Sequence, residues 1–276
     1  MLWRRLWRKE LRMVWRLKKD ARSSFLVGTA HFSPHSFRKC LTRLIMESEA
    51  ALFEGPLDPS SMERVVAAGI QEQNANHFLN ELDAKTLSTI AKVLGPEAPR
   101  LAAFHALQPV LEPKTFLDGT IGTMKPWMAF FAIYTAYLRK NGWKHSVDME
   151  AYQIANELGK KVVFMETIEE QIQVLESLSC QQMTDFLRRI DSWHSYTGDF
   201  MRWYLDGNLA TIAGNPYGFP TRNPHVIDRR DAIFCEKMQE YLERGRAAVF
   251  VGVPHVVGVS RILAAEGYAV EKDCRI

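Results

Sequence analysis

The chain has 276 residues, 47% hydrophobic and 24% charged, with a net charge of +3; these near-average values exclude a disordered protein. Its 16 glycines and 12 prolines exclude a collagen-like or linker-dominated one, and at this length the core needs no covalent staples. Cys40, Cys180, Cys235 and Cys274 lie far apart and form no C-x-x-C, so neither a zinc cluster nor a dense disulfide framework is expected.

The basic charge is concentrated at the start. Residues 1–22 hold nine basic side chains against Glu10 and Asp20, and the remaining residues are net acidic. Trp3, Trp7, Leu11 and Val14 recur there at helical spacing and predict a short amphipathic helix that docks its apolar stripe on the protein. Contact of residues 1–22 with an anionic membrane surface is the alternative. With no second basic patch, no nucleic-acid partner is expected. Charges interrupt every window that could form a signal-peptide core. The longest apolar run elsewhere, 127–138, has 12 residues, short of the ~20 that a membrane span needs. A cytoplasmic location is expected.

Residues 14–18 and 24–28 flank a polar turn and predict a hairpin. Ser33-Pro34 then reads as a helix N-cap followed by a first-turn proline. Phe37, Leu41, Leu44 and Ile45 would form the apolar face of that helix, and a short strand at 51–54 follows it. From about 58 to 215 the periodicity is mostly helical, interrupted by one strand at 161–165 that runs into Glu166. A helix at 229–244, a strand at 247–252, a helix after Gly258 that stops at Gly267, and a strand from Tyr268 complete the chain.

Two of these pieces resemble each other. Strand FLV leads into Gly28-Thr29-Ala30-His31, and strand VFV leads into Gly252-Val253-Pro254-His255; each is followed by a helix and a strand. The predicted fold is therefore α/β: a β-sheet core from two degenerate β-loop-α-β units near the termini, with a large, mainly helical insertion. One domain over 1–276 is expected, its core at about 12–57, 160–167 and 215–273 and its insertion at about 58–214. Right-handed crossovers would make the strands of each unit parallel and put both histidines at the carboxyl edge, where α/β sheets bind ligands.

A lone G-x-x-H means little, since about half a match arises by chance from this composition. A third copy, Gly142–His145, falls in a helix-ending loop. The other two are set apart by the apolar strand before each. Glu54 and Glu166 also end apolar strands, at the edge where burial and neighbouring charge tune a carboxylate. Two imidazoles with one or two carboxylates suffice to hold Zn²⁺, Mn²⁺ or Fe²⁺ and leave positions open for water. Arg222-Asn223 precedes the penultimate helix, and that arginine suits a substrate carboxylate or a developing oxyanion, or equally a structural role locking the glutamates. H-E-x-x-H, G-x-S-x-G, Walker A and G-x-G-x-x-G are all absent.

LVGTAHFS at 26–33, ALFEG at 51–55, GKKVVFMETIEEQ at 159–171, TRN at 221–223 and FVGVPHVVG at 250–258 together resemble the TraB/PrgY/GumN family, whose animal relatives include the Tiki-type membrane proteases. The resemblance runs from about Trp15 to Val270 and implies an α/β core with a helical insertion and a metal-dependent hydrolase site. By similarity that site would use His31, Glu54, Glu166, Arg222, Asn223 and His255. His31 and His255 would hold a divalent metal (Mn, Zn, Co or Fe), with Glu54 as third ligand or general base. Glu166 would orient a histidine and Arg222 would face a peptide or small-molecule substrate. The alternative function is a non-catalytic protein that sequesters a peptide or small ligand, and metal-free hydrolysis with a histidine base is a third option. Assembly into a homo-oligomer is left open by the sequence.

Overall fold

The structure, a computed structural model, describes residues 10–71, 77–95 and 113–273. Its centre is a mixed six-stranded sheet made of β1 (Val14–Lys19), β2 (Arg22–Thr29), β3 (Ala50–Phe53), β4 (Lys161–Phe164), β5 (Ala247–Gly252) and β6 (Ala269–Lys272). The strand order is β4-β3-β5-β2-β1-β6. β3 (AALF) and β5 (AAVFVG) are buried along their whole length, the continuous apolar run that a parallel strand covered on both faces requires. β1 and β2 form the predicted antiparallel hairpin, and Asp20 turns it in the left-handed region at φ 53°.

The two G-x-x-H strands are immediate neighbours. β2 runs parallel to β5, with Gly28 opposite Val251 and Thr29 opposite Gly252. Both histidines therefore leave the sheet from the same carboxyl edge. β3 also lies parallel to β5, with Phe53 opposite Phe250, which puts Glu54 at that edge too. The strands within each repeat point the same way, as expected, but are not paired with each other. β5 separates β2 from β3, and β6 reaches the far edge, where it pairs antiparallel to β1.

Helices fill the stretch predicted to be helical. Pro59–Gly69, Ala84–Leu94, Pro113–Ile121, Pro126–Lys140 and Val147–Glu157 lie between β3 and β4; Ile168–Glu176, Cys180–Arg188, Trp193–Asp206 and Leu209–Ala213 follow β4. Their starts are set by side chains that accept backbone N–H groups. Asp58, Asp83, Ser146, Ser179 and Asn208 do so singly, and Thr167 with Glu170 forms a reciprocal capping box. Phe130, Tyr134, Phe186, Trp193 and Phe219 join these helices in one aromatic cluster.

Several expectations are corrected. Trp3 and Trp7 lie outside the described residues. Leu11 is fully buried, yet residues 11–13 are not helical, and Val14 already belongs to β1, where it pairs with Val27 of β2. The helix predicted to start at Pro34 is Arg38–Met46. Ser33 instead exchanges two backbone hydrogen bonds with His145, and its Oγ accepts from the His35 N–H. The penultimate helix begins earlier than predicted, at Pro224, and runs to Arg244. The last helix, Val256–Ala265, contains Gly258 rather than following it. Among the described residues, no helix is long and apolar enough to cross a membrane.

Candidate active site

Glu54 follows β3 directly and turns towards the end of β5. Its Oε1 accepts the Gly252 N–H at 2.6 Å. A Cβ on residue 252 would stand 3.2 Å from that oxygen, so glycine lets strand and carboxylate approach closely. Glu54 Oε2 accepts from Arg230 Nη2 at 2.9 Å. Glu166, which follows β4, accepts from the same guanidinium twice, from Nε at 2.7 Å and from Nη2 at 2.8 Å. This two-pronged geometry is the one a guanidinium supplies and an ammonium does not.

The remaining Arg230 nitrogen, Nη1, lies 3.1 Å from His255 Nε2. An arginine only donates, so His255 Nε2 accepts and its proton sits on Nδ1. Nδ1 in turn donates to Asp231 Oδ1 at 2.6 Å. His255 Nε2 is 3.8 Å from Glu54 Oε1. His255, Asp231 and Glu166 are all nearly inaccessible, and Phe234 packs edge-on against the His255 ring.

His31 forms the open side. Its side chain is 69% exposed, and Nδ1 pairs with Asp148 Oδ2 at 2.9 Å. Asp148 lies in the first turn of helix Val147–Glu157 and is buried. Both G-x-x-H histidines thus lean on an aspartate through Nδ1, one in the interior and one at the surface.

The charges are coupled. Asp148, in spite of the opposing effect of desolvation, raises the His31 pKa to about 9, and Glu54 adds to the rise. For Glu54, burial opposes ionisation. Arg230, then His255, His31 and the Gly252 N–H, outweigh it and hold the carboxyl at about 2. Burial raises the Asp231 pKa against the pull of His255. Arg230 stays charged, because the two glutamates overcome its desolvation.

His31, Glu54, Glu166 and His255 lie together at the carboxyl edge of the sheet, and Arg222 is held elsewhere. Arg222 Nη1 donates to the Ile212 carbonyl at 2.8 Å, and its charge faces Tyr196 and Tyr134 of the helical aromatic cluster. Its link to the site runs through helix Leu209–Ala213, which packs against the Val253–His255 turn. Asn223 stands just before the long helix, where its carbonyl accepts the Ile227 N–H. Glu166 does not touch a histidine; Asp148 and Asp231 do.

Arg230, Asp231 and Asp148 were not foreseen. A signal for the first two exists. Helix Pro224–Arg244 turns Ile227, Phe234, Met238 and Leu242 to one side, and Arg230-Asp231 interrupts that stripe one turn before Phe234. A charged pair in an apolar stripe must be paired inside.

A sheet with two histidines, two glutamates and an arginine at its carboxyl edge defines an α/β protein with a polar centre at that edge. The chain belongs to the TraB/PrgY/gumN family, whose model matches residues 13–272, nearly its whole length. No curated protein and no solved structure matches it.

Proposed function

We propose that the protein is a hydrolase of peptide or related acyl bonds whose centre takes a divalent metal through His31, His255 and Glu54. The observation that carries this reading is the pair of aspartate-backed histidines flanking Glu54. Carboxylate support at one ring nitrogen is the usual arrangement for a metal-ligating histidine. The donor set fits in chemistry: two imidazoles and a carboxylate suit Zn²⁺, Mn²⁺, Co²⁺ or Fe²⁺. Glu54 and Glu166 share the Arg230 guanidinium, while Asp148 and Asp231 face the two histidines. Among the described residues no group of three such side chains is arranged to hold an ion, and His255 Nε2 would have to leave Arg230.

A metal bound there would supply a water acidic enough to attack at neutral pH. The chain's own residues do the rest. Glu54, with its pKa at about 2, is a poor proton acceptor at neutral pH and serves as ligand and fixed charge. Arg230 locks both glutamates, and its Nη1 is the donor placed to receive a substrate carbonyl oxygen once His255 turns away. Asp231 keeps the His255 proton on Nδ1 and so frees Nε2.

A second reading is favoured by the Arg230–His255 bond itself. It is metal-free hydrolysis in which a histidine moves the proton. Incubating the protein with a peptide mixture and reading products by mass spectrometry, with chelator or with Mn²⁺, separates the cases. Cleavage that needs Mn²⁺ and is lost in His255→Ala supports the first. Chelator-insensitive cleavage supports the second, and tight binding without cleavage makes the cleft a sequestering site.

A further inference from the structure

We propose that Asp148 is a positioning residue for His31, and that the third G-x-x-H segment, Gly142–His145, is the part of the helical region that delivers it to the sheet edge. This deepens the hydrolase reading and rests on it for its consequence, though not for its geometry.

The loop carrying His31 is stitched to this segment by backbone. The Ser33 N–H donates to the His145 carbonyl at 2.8 Å, the His145 N–H returns to the Ser33 carbonyl at 3.0 Å, and the Val147 N–H donates to the Ala30 carbonyl at 3.0 Å. His31 is thus bracketed on both sides. The segment is itself held in place. Ser146 Oγ accepts the Met149 N–H and caps helix Val147–Glu157. Glu150 receives the Phe37 N–H at 2.9 Å and sits 3.1 Å from His145 Nδ1. That helix also packs against Arg38–Met46 and β3. Asp148 therefore stands on rigid structure and His31 on a surface loop.

A ring that is 69% exposed has little packing to fix its orientation, so the Asp148 bond selects which nitrogen faces the site. With Asp148 accepting from Nδ1, the lone pair of the neutral ring is on Nε2. A carboxylate only accepts. An asparagine can present its NH₂ to Nδ1 instead and move the ring proton to Nε2, closing that nitrogen to a metal. A glutamate keeps the accepting chemistry at a longer reach.

The test uses the full chain with ¹⁵N-labelled histidine, comparing wild type with Asp148→Asn and Asp148→Glu. Ring ¹⁵N shifts of His31 in the metal-free protein, read above its pKa, should report an Nδ1-protonated ring in the wild type. Asp148→Asn should give a mixed or Nε2-protonated ring, and Asp148→Glu should restore the wild-type state in large part. Mn²⁺ affinity, read by electron paramagnetic resonance, should fall about 10–100-fold in Asp148→Asn and recover in Asp148→Glu, with circular dichroism unchanged. Unchanged His31 shifts in a folded Asp148→Asn overturn the positioning role. A shifted tautomer in Asp148→Asn, together with a wild-type protein that binds no Mn²⁺, upholds that role and instead overturns the metal reading on which its consequence rests.

Discussion

Arg230 grips Glu166 with two parallel hydrogen bonds, Nε to Oε1 at 2.7 Å and Nη2 to Oε2 at 2.8 Å, and only 3% of the Glu166 side chain is exposed. The arginine comes from the penultimate helix and the glutamate from the far side of β3. One guanidinium therefore ties the helix layer to the sheet at the point where the site assembles. Removing one partner of such a buried pair strands the other charge, at about 3–5 kcal/mol. Arg230→Ala should lose stability on that scale by chemical denaturation. Arg230→Lys should recover only part of it, because an ammonium cannot span two carboxylates and a ring nitrogen together. A near-neutral Arg230→Ala would show that the pairing is superficial.

Glu54 gives the acid side of the stability profile. Its pKa lies at about 2 in the folded protein against an ordinary 4.5, so the folded state binds its proton less readily than the unfolded chain. The stability this supplies is complete above pH 4.5 and is lost as pH falls towards 2. Denaturation of Glu54→Gln should depend less steeply on pH across that window than denaturation of the wild type. Equal slopes would contradict the coupling to Arg230.

His31 acts in the opposite direction. Its pKa is raised to about 9 from 6.5, so the bond to Asp148 stabilises the fold fully below pH 6.5 and its contribution disappears as pH rises through 9. Because the ring is largely exposed and screened by water, the better readout is the ring itself. Its ¹H NMR titration should have a midpoint well above the ordinary value, and the midpoint should fall in Asp148→Asn. A wild-type midpoint near 6.5 would contradict the pairing.

Gly258 controls the interior histidine at one remove. A Cβ there would lie 1.7 Å from Asp231 Oδ2 and 2.8 Å from its Cγ, and Asp231 is only 1% exposed. Gly258→Ala must push Asp231 aside and break its bond to His255. Overpacking of this kind costs about 1–3 kcal/mol, and activity should fall by more than that loss of stability explains. A fully active Gly258→Ala would mean that Asp231 does not hold His255 in its working position.

His31, His255, Glu54 and Glu166 were legible in the sequence for one reason: each closely follows an apolar strand, and parallel strands deliver such residues to a common edge. Asp148, Arg230 and Asp231 come from helices, and a helix states its partner only through its buried face. Arg222 was attractive because it precedes a helix close to the site in sequence, yet its guanidinium turns back to the Ile212 carbonyl. Strand order was equally hidden. Nothing local in residues 269–272 says that β6 crosses to pair with β1 rather than with β5, a choice made by the hairpin that presents β1 as a free edge. Val14 shows a related override, since its pairing with Val27 of β2 makes it strand in spite of its helical spacing.

If His31, His255 and Glu54 make one metal-binding centre, as proposed, all three must serve the same ion. Isothermal titration of the chelator-treated full chain with Mn²⁺, repeated with Zn²⁺, Co²⁺ and Fe²⁺, tests it most directly, with His31→Ala and His255→Ala run alongside. Saturable binding of one ion per chain is expected, with protons released as His31 gives up its charge, and loss of that binding in both variants. No binding of any of the four ions, or binding that survives both substitutions, would contradict it.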